Sequence, residues 1–376
     1  MVETRSEISK INDSFFKELL STYQNGVITV EGVDFVLSNK YNINVSVTEF
    51  VEKDFKSNDK NELTINQNLP LISVIIPTFN RRQMLKEAIN SVLKQSYTNY
   101  EIIVIDDGST DGTEQMLKKN FEQTKVIKYK QVVNSKDAGK NRNIGYNLAK
   151  GDYVIFLDDD DFYIDKDFFM KAINKHLEFD NLAFVCANSL VFQDKSKDFI
   201  ISNLNKDGLQ DSKEYLMNFG INFDKPKSTF TTVFNKRLLD KSDFKSMMMM
   251  NDTPIYLRAL LHGKVFILND IVGVYRVHDN NISKNINLNF IIKNLEEKKW
   301  VYQKIEDKVE NPNKWLIEQL MITIHYYIYG SNPNFKNVKK LVTWNNNNNS
   351  GAIKIKINLK IIKSWLHNSF TSKSTR

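Results

Sequence analysis

Four consecutive carboxylates, Asp158-Asp159-Asp160-Asp161, directly follow the strand-forming run Tyr153 to Leu157. Carboxylates a few ångströms apart repel one another, and their pKa values rise unless a positive partner offsets the charge. An all-oxygen ligand set suits Mg²⁺ or Mn²⁺, ions that keep water ligands and bridge a few carboxylates to the phosphates of a substrate. The alternative reading is a solvated acidic turn whose side chains splay apart. A second acidic pair, Asp106-Asp107, stands before Gly108-Ser109, again after an apolar run.

The segments between these clusters must place them together. From Leu71 to Leu157 strand-like and helix-like patterns alternate at the spacing of parallel βαβ units. The expected strands are Leu71 to Ile76, Glu101 to Ile105, Val126 to Val133 and Tyr153 to Leu157. The expected helices are Arg82 to Lys94, one from about Asp111, and Lys140 to Lys150. Right-handed crossovers make this a sheet covered on both faces, whose ligands bind beyond the carboxyl ends of the strands. Pro77-Thr78-Phe79-Asn80, Asp106 to Ser109, Asn134 to Asp137 and the four aspartates all fall at those ends. One rim carrying so many polar clusters favours a ligand site over a solvated turn.

Composition narrows the class further. Hydrophobic residues make up 41% of the 376, enough for a folded core. The lone Cys186 lies in an apolar run and excludes an internal disulfide framework or a cysteine zinc site. The formal charge is +7, but residues 351–376 hold Lys354, Lys356, Lys360, Lys363, Lys373 and Arg376 with no acid, so the rest of the chain is nearly neutral and does not read as a nucleic-acid binder. No apolar segment is long enough to cross a bilayer and the first eleven residues are too charged for a secretory signal, which predicts a cytoplasmic protein.

Three regions follow: an N-terminal α/β extension over 1–68, with a helical patch from Phe15 to Tyr23 and a polar linker from Lys56 to Gln67; the βαβ region over 69–285; and a mostly helical region over 286–376. In the last, Asn345 to Asn349 reads as a mobile low-complexity connection. Ile361, Ile362, Trp365 and Leu366 are expected on one helical face opposite Lys356, Lys360 and Lys363. That pattern suits peripheral contact with an anionic leaflet, or packing on the protein itself or on a second subunit in a homo-oligomer.

Neither the glycine fingerprint of a nicotinamide dehydrogenase nor a P-loop occurs; Gly139-Lys-Asn-Arg-Asn-Ile-Gly145 has the wrong form for both. Instead, Pro70 to Arg81, Ser91 to Asp111 and Tyr153 to Asp161 together resemble the family 2 glycosyltransferases of GT-A fold, which are inverting enzymes. The resemblance is dense from Leu71 to Phe162 and thins afterwards. It implies a Rossmann-like nucleotide-sugar-binding domain with a mostly parallel sheet, a uridine diphosphate sugar as donor, and Mn²⁺ or Mg²⁺ as cofactor.

Position by position, the resemblance implies that Pro77, Thr78 and Asn80 contact the nucleotide and that Asp107 meets the uracil edge. Asp106 either joins it or caps the following helix. Asn141-Arg142-Asn143 resembles the family's Ala-Arg-Asn element, which puts Arg142 near the donor, with Asn134 on the preceding turn. Asp158 and Asp160 match the ends of the DxD element, Asp160 as metal ligand, Asp158 on ribose or metal, and Asp159 or Asp161 in support. Asn251-Asp252-Thr253-Pro254 resembles the segment that carries the catalytic base, assigned to Asp252; the same residues also read as a capped helix start with Pro254 in the first turn. Tyr275-Arg276-Val277-His278 resembles a later segment in which Arg276 binds phosphate and His278 completes the metal sphere. The Met247 to Met250 run reads as core filling or as a pliable acceptor wall. The expected acceptor is a growing cell-surface glycan or teichoic-type chain, with a Ser or Cys of a peptide as the second reading. A non-catalytic nucleotide-sugar subunit is the reading of another class, and it requires Asp252 to be remote from the aspartate cluster.

Overall fold

The computed structural model describes residues 69–374, apart from 136, 194, 196–197, 203, 248 and 279–286, together with the short antiparallel pair Tyr23–Gln24 and Val27–Ile28. The expected helix from Phe15 and the linker from Lys56 lie outside the described residues.

β1 (Ile72–Thr78), β2 (Tyr100–Asp106), β3 (Ile127–Gln131) and β4 (Tyr153–Phe156) form the parallel part of a ten-stranded sheet. β1 pairs with both β2 and β4, so the chain reverses its direction of travel across the sheet at β1. That topological switch opens a crevice beyond the carboxyl ends of β1 and β4. Every residue of β1 is buried, as a strand covered on both faces requires. Its side chains alternate between two cores: Ile72, Val74 and Ile76 pack with one apolar cluster and Ile75 with the other. α1 (Arg82–Leu93) covers the first face with Leu85, Ala88, Ile89 and Val92 at helical spacing. α3 (Ala138–Leu148) covers the second and approaches so closely that a Cβ on Gly145 would lie 2.4 Å from Ile75 Cγ2. α2 (Thr113–Phe121) joins β2 to β3. β3 is shorter than expected: Val132 N still donates to Asp106 O at 2.8 Å, but Val133 turns outward and is 91% exposed.

Beyond β4 the sheet becomes mixed. β5 (Phe162–Tyr163), α4 (Phe168–Glu178), β6 (Leu182–Gln193), β7 (Asp198–Ser202), β8 (Gly208–Gln210) and α5 (Ser212–Asn218) follow in order. β9 (Thr232–Asn235) is wedged antiparallel between β4 and β6, and leads into α6 (Lys236–Lys241). α7 (Asp252–Ala259) precedes β10 (Lys264–Val277), which runs parallel to β6 and returns the chain to the crevice.

The C-terminal part is four helices: α8 (Leu288–Ile305), α9 (Pro312–Ser331), α10 (Phe335–Asn348) and α11 (Gly351–Ser374). One apolar cluster joins Phe184, Phe234 and Tyr256 of the sheet region to Ile291, Leu295, Trp315 and Leu320 of these helices, so the core is continuous across residue 285. Polar contacts reinforce it: Trp315 Nε1 donates to the Leu216 carbonyl at 2.9 Å and Gln319 Nε2 to that of Phe219 at 2.6 Å. Among the described residues no helix is long and apolar enough to cross a membrane.

Two expectations for this part are corrected. Asn345 to Asn348 close α10 instead of forming a mobile link, because the amides of Asn345, Asn346 and Asn348 have structural partners that composition alone does not reveal. Asn345 is buried and its Nδ2 donates to Lys354 O at 2.9 Å and Asn358 Oδ1 at 2.7 Å, locking α10 to α11. The apolar residues of α11 do not share one face either. Ile357 and Ile361 are fully buried against the protein, whereas Ile355, Leu359, Ile362 and Leu366, spaced four, three and four residues apart, form an outward stripe 43–64% exposed.

Candidate functional site

The four aspartates leave β4 in a tight turn, with Asp161 N donating to Asp158 O at 3.1 Å. Asp159, Asp160 and Asp161 are buried and Asp158 is partly open. Oxygens of Asp158, Asp160 and Asp161 lie within 4.8 Å of one another. An oxygen-only trio at that spacing fits a hard divalent cation. The protein also supplies cations of its own, beside the divalent ion that the sequence suggests. Arg81 Nη1 bridges Asp159 Oδ1 at 2.9 Å and Asp160 Oδ2 at 2.8 Å, and Arg142 Nη2 pairs with Asp158.

These contacts divide the four acids electrostatically. Burial raises the Asp159 carboxyl to about 7, opposed by Arg81 and by the Thr78 hydroxyl, which donates to it at 2.7 Å. Burial raises Asp158 and, more strongly, Asp161. Asp160 is buried too, yet its pKa is lowered, because the hydrogen bond from His278 and the charge of Arg81 outweigh desolvation. Asp160 is therefore the member held most firmly as an anion. Asp161 is tied down by the Ser228 hydroxyl at 3.2 Å and the Arg276 amide at 3.1 Å.

β10 delivers Arg276 and His278 to the same crevice. His278 Nε2 is 2.9 Å from Asp160 Oδ2, so it abuts the cluster through that carboxylate. Arg276 stacks its guanidinium 4.5 Å from the Phe162 ring and pairs with Glu87 of α1 at 2.5 Å. At the carboxyl end of β1, Pro77 and Thr78 are buried, whereas Asn80 is exposed in a left-handed conformation with φ 52°. Its Oδ1 accepts from Thr110 N at 2.7 Å, stitching the β1 turn to the β2 turn.

At the β2 end Asp106 is fully buried, with one oxygen accepting from Ser109 N at 2.8 Å and the other from the Tyr129 hydroxyl at 2.7 Å. It anchors its own turn. It does not cap α2, where Asp111 instead accepts from Thr113 N. Asp107 accepts from Ser135 N at 2.7 Å, which draws the turn carrying exposed Asn134 against Gly108.

Asp252 opens α7. The N-cap position is Asn251, which makes no side-chain cap bond, and Asp252 sits in the first turn. Its carboxylate is spared for other contacts: Oδ1 lies 3.9 Å from Arg142 Nη1 and Oδ2 lies 3.8 Å from Lys225 Nζ. Arg142 therefore stands between Asp252 and Asp158, and its Nη1 donates to Met250 O at 3.0 Å. Asn141 Oδ1 and Arg142 Nε, both buried, have no hydrogen-bond partner among the described residues. Met247, Met249 and Met250 are buried and act as core.

Contacts thus join Thr78, Arg142, Asp158, Asp159, Asp160, Asp252 and His278, with Arg276 reached through Asp161, whereas Pro77, Asn80, Asp107 and Asn134 sit on the β1 and β2 ends and the turn beside them, and Asp106 is turned into its own turn. Sequence reasoning missed Arg81, Lys225, Glu87 and Ser228. Arg81 ends the Pro-Thr-Phe-Asn-Arg run and was open to notice; Lys225 and Ser228 lie in a loop with no motif around them. Burial lowers the Lys225 pKa, as does Lys227, against the pull of Asp252.

Residues 73–248 match the family described as glycosyl transferase family 2. Over 214 residues the chain is 32% identical to the GalNAc(5)-diNAcBac-PP-undecaprenol beta-1,3-glucosyltransferase of Campylobacter jejuni, covering 56% of this chain and 65% of that protein. It therefore spans less than two thirds of that relative. Over 276 residues it is 27% identical to WfgD of Escherichia coli, a UDP-Glc:alpha-D-GlcNAc-diphosphoundecaprenol beta-1,3-glucosyltransferase, covering 72% of this chain and 98% of that one. Among solved structures, residues 1–349 of Staphylococcus aureus TarS in complex with UDP-GlcNAc superpose with a TM-score of 0.62 at 18% identity, covering 81% of this chain and 92% of that one. That likeness is one of fold. With the sequence match falling on the strands and turns that build the crevice, residues 73–248 are a glycosyl transferase family 2 domain, and the fold is GT-A.

Proposed function

We propose that the protein transfers a sugar from a uridine diphosphate donor, with inversion, to a hydroxyl of a growing bacterial surface glycan. The observation that carries this reading is the shared crevice of Asp252 and the aspartate cluster, linked through Arg142. The names of the relatives support the donor and acceptor classes, since they describe glucosyl transfer to undecaprenol-linked glycans.

The nucleotide would lie across the turns of β1 and β2, against Pro77, Thr78, Asn80, Asp107 and Asn134, with Asp106 holding the turn rigid. Asp158 and Asp160, with Asp161 beside them and His278 against Asp160, would hold Mn²⁺ or Mg²⁺. That ion, when bound, offsets charge on the departing diphosphate. The Arg276 amide holds Asp161, and its guanidinium, paired with Glu87, would turn to the same diphosphate. Asp252, kept open by the absence of a capping role, takes the proton of the acceptor hydroxyl as its oxygen attacks the anomeric carbon. Arg142 and Lys225, 3.9 and 3.8 Å away, hold that carboxylate in place.

The test combines donor binding and transfer. Asp252→Asn is expected to bind the donor as the wild type does and to lose about 10²- to 10⁴-fold in kcat. Asp160→Ala or chelation should abolish turnover. Wild-type kcat in the Asn variant would remove Asp252 from the mechanism; product analysis with glycan and peptide acceptors separates the two acceptor classes.

We further propose that α11 rests on an anionic membrane surface, with Ile355, Leu359, Ile362 and Leu366 against the acyl boundary and lysines beside them. Flotation with vesicles containing phosphatidylglycerol should retain the wild type and release Leu359→Asp/Leu366→Asp. Equal retention of both would sink this placement.

A further inference from the structure

A second cavity, of about 410 Å³, opens far from the crevice among α5, α6, the end of α7 and α8. This lies within the size range of small-molecule sites, roughly 300–1,000 Å³. Its floor is apolar: Leu216, Leu260 and Ile305 are each no more than 3% exposed. Its wall is the Trp300 indole, fixed in place by the Arg258 guanidinium 3.7 Å from the ring centroid. Lys213, Lys241, Lys304 and Lys308 line it with His262.

The charge is strongly one-sided. Asp243 is the one acid in the lining, and its carboxylate accepts from the Ser246 hydroxyl at 2.5 Å. None of the four lysines has a carboxylate at ion-pair distance among the described residues. The resulting positive field is felt by His262, whose pKa is lowered by burial and then by Lys241 and Lys308. Like charges brought together over an apolar pocket oppose folding unless an anion offsets them. The cavity is also separate from the chemistry. Asp252 begins α7 and the cavity takes residues just past its end, so about 12 Å of helix lies between them at 1.5 Å per residue.

We propose that this cavity binds a phosphate-bearing amphiphile: its apolar chain lies on the floor against Trp300 and its phosphate is held by the lysines at the mouth. Inorganic phosphate would leave the floor unused, and an uncharged chain would leave the lysines uncompensated. Two sources share this chemistry, a glycerophospholipid and an isoprenoid phosphate.

Binding is read by calorimetry on the full chain below micelle-forming concentrations, without any transfer assay, so its outcome is independent of the proposed reaction. Dihexanoyl phosphatidate and farnesyl diphosphate are the probes, with dihexanoyl phosphatidylcholine and inorganic phosphate as controls. One or both probes should bind, and the tighter one identifies the source. Lys241→Glu/Lys308→Glu should weaken binding by about tenfold or more, as loss of charge-assisted contacts predicts. Both lysines are exposed, so folding should persist, which near-UV circular dichroism checks; Lys213→Glu/Lys304→Glu gives an independent pair. Unchanged affinity in both charge-reversed variants overturns the proposal, as does failure of both probes to bind. Equal affinity for either control and the probes does so too.

Discussion

Lys298 is 1% exposed, and its ammonium donates to the Gln319 carbonyl at 2.6 Å in the middle of the helical region. Burial depresses its pKa from 10.5 to about 7. Between those values the unfolded chain holds a proton that the folded chain lacks, so this group makes stability rise with pH from about 7 to 10.5. Lys298→Met should flatten that slope and stabilise the protein at pH 7 by on the order of 1 to 4 kcal/mol. Urea unfolding at pH 7 and pH 10 measures it, and a Met variant with the wild-type slope would contradict the burial argument. Residues of this kind are not legible in sequence, because a lysine flanked by Glu297 and Lys299 reads as solvent-facing. The aspartate run and the Asp252 segment were legible because their chemistry is local. Their counter-ions were not, since Arg81 meets Asp159 across 78 residues.

β1, β2 and β4 were readable because strands buried on both faces become nearly unbroken apolar runs, and α1 because its four buried apolar residues keep helical spacing. The antiparallel β9 escaped notice: only four residues long, it is defined by neighbours from distant parts of the chain. The asparagine run was misread because composition cannot show which amides a facing helix will bond. Close approach between elements gives a sharper test. With Ile75 Cγ2 at 2.4 Å from the position of a Gly145 Cβ, Gly145→Ala must push α3 off β1. It should cost about 1 to 3 kcal/mol by overpacking, despite alanine's better helix propensity. Because α3 carries Arg142, the same variant should weaken donor binding more than a surface change of equal cost. A neutral or higher midpoint in thermal unfolding would show that α3 is not seated on β1 as described.

For the molecule as a whole, α7 is the junction. Its first residue faces the crevice, and Arg258 near its end is buried, paired with Glu297 of α8 at 2.9 and 2.8 Å and bonded to the carbonyls of Ser242 and Asp243. Removing one partner leaves a buried charge alone: Glu297→Ala should cost roughly 3 to 5 kcal/mol, whereas Arg258→Met/Glu297→Leu should recover much of that loss. Differential scanning calorimetry of the three proteins decides it, and additive losses in the double variant would show that the pair is not coupled. The helices after residue 285 are therefore no detachable module. A chimaera that grafts the C-terminal segment of another family member onto this chain inherits a strict pairing rule: the donor segment must bring its own acid opposite position 258, or the turn that presents Asp252 loses its footing.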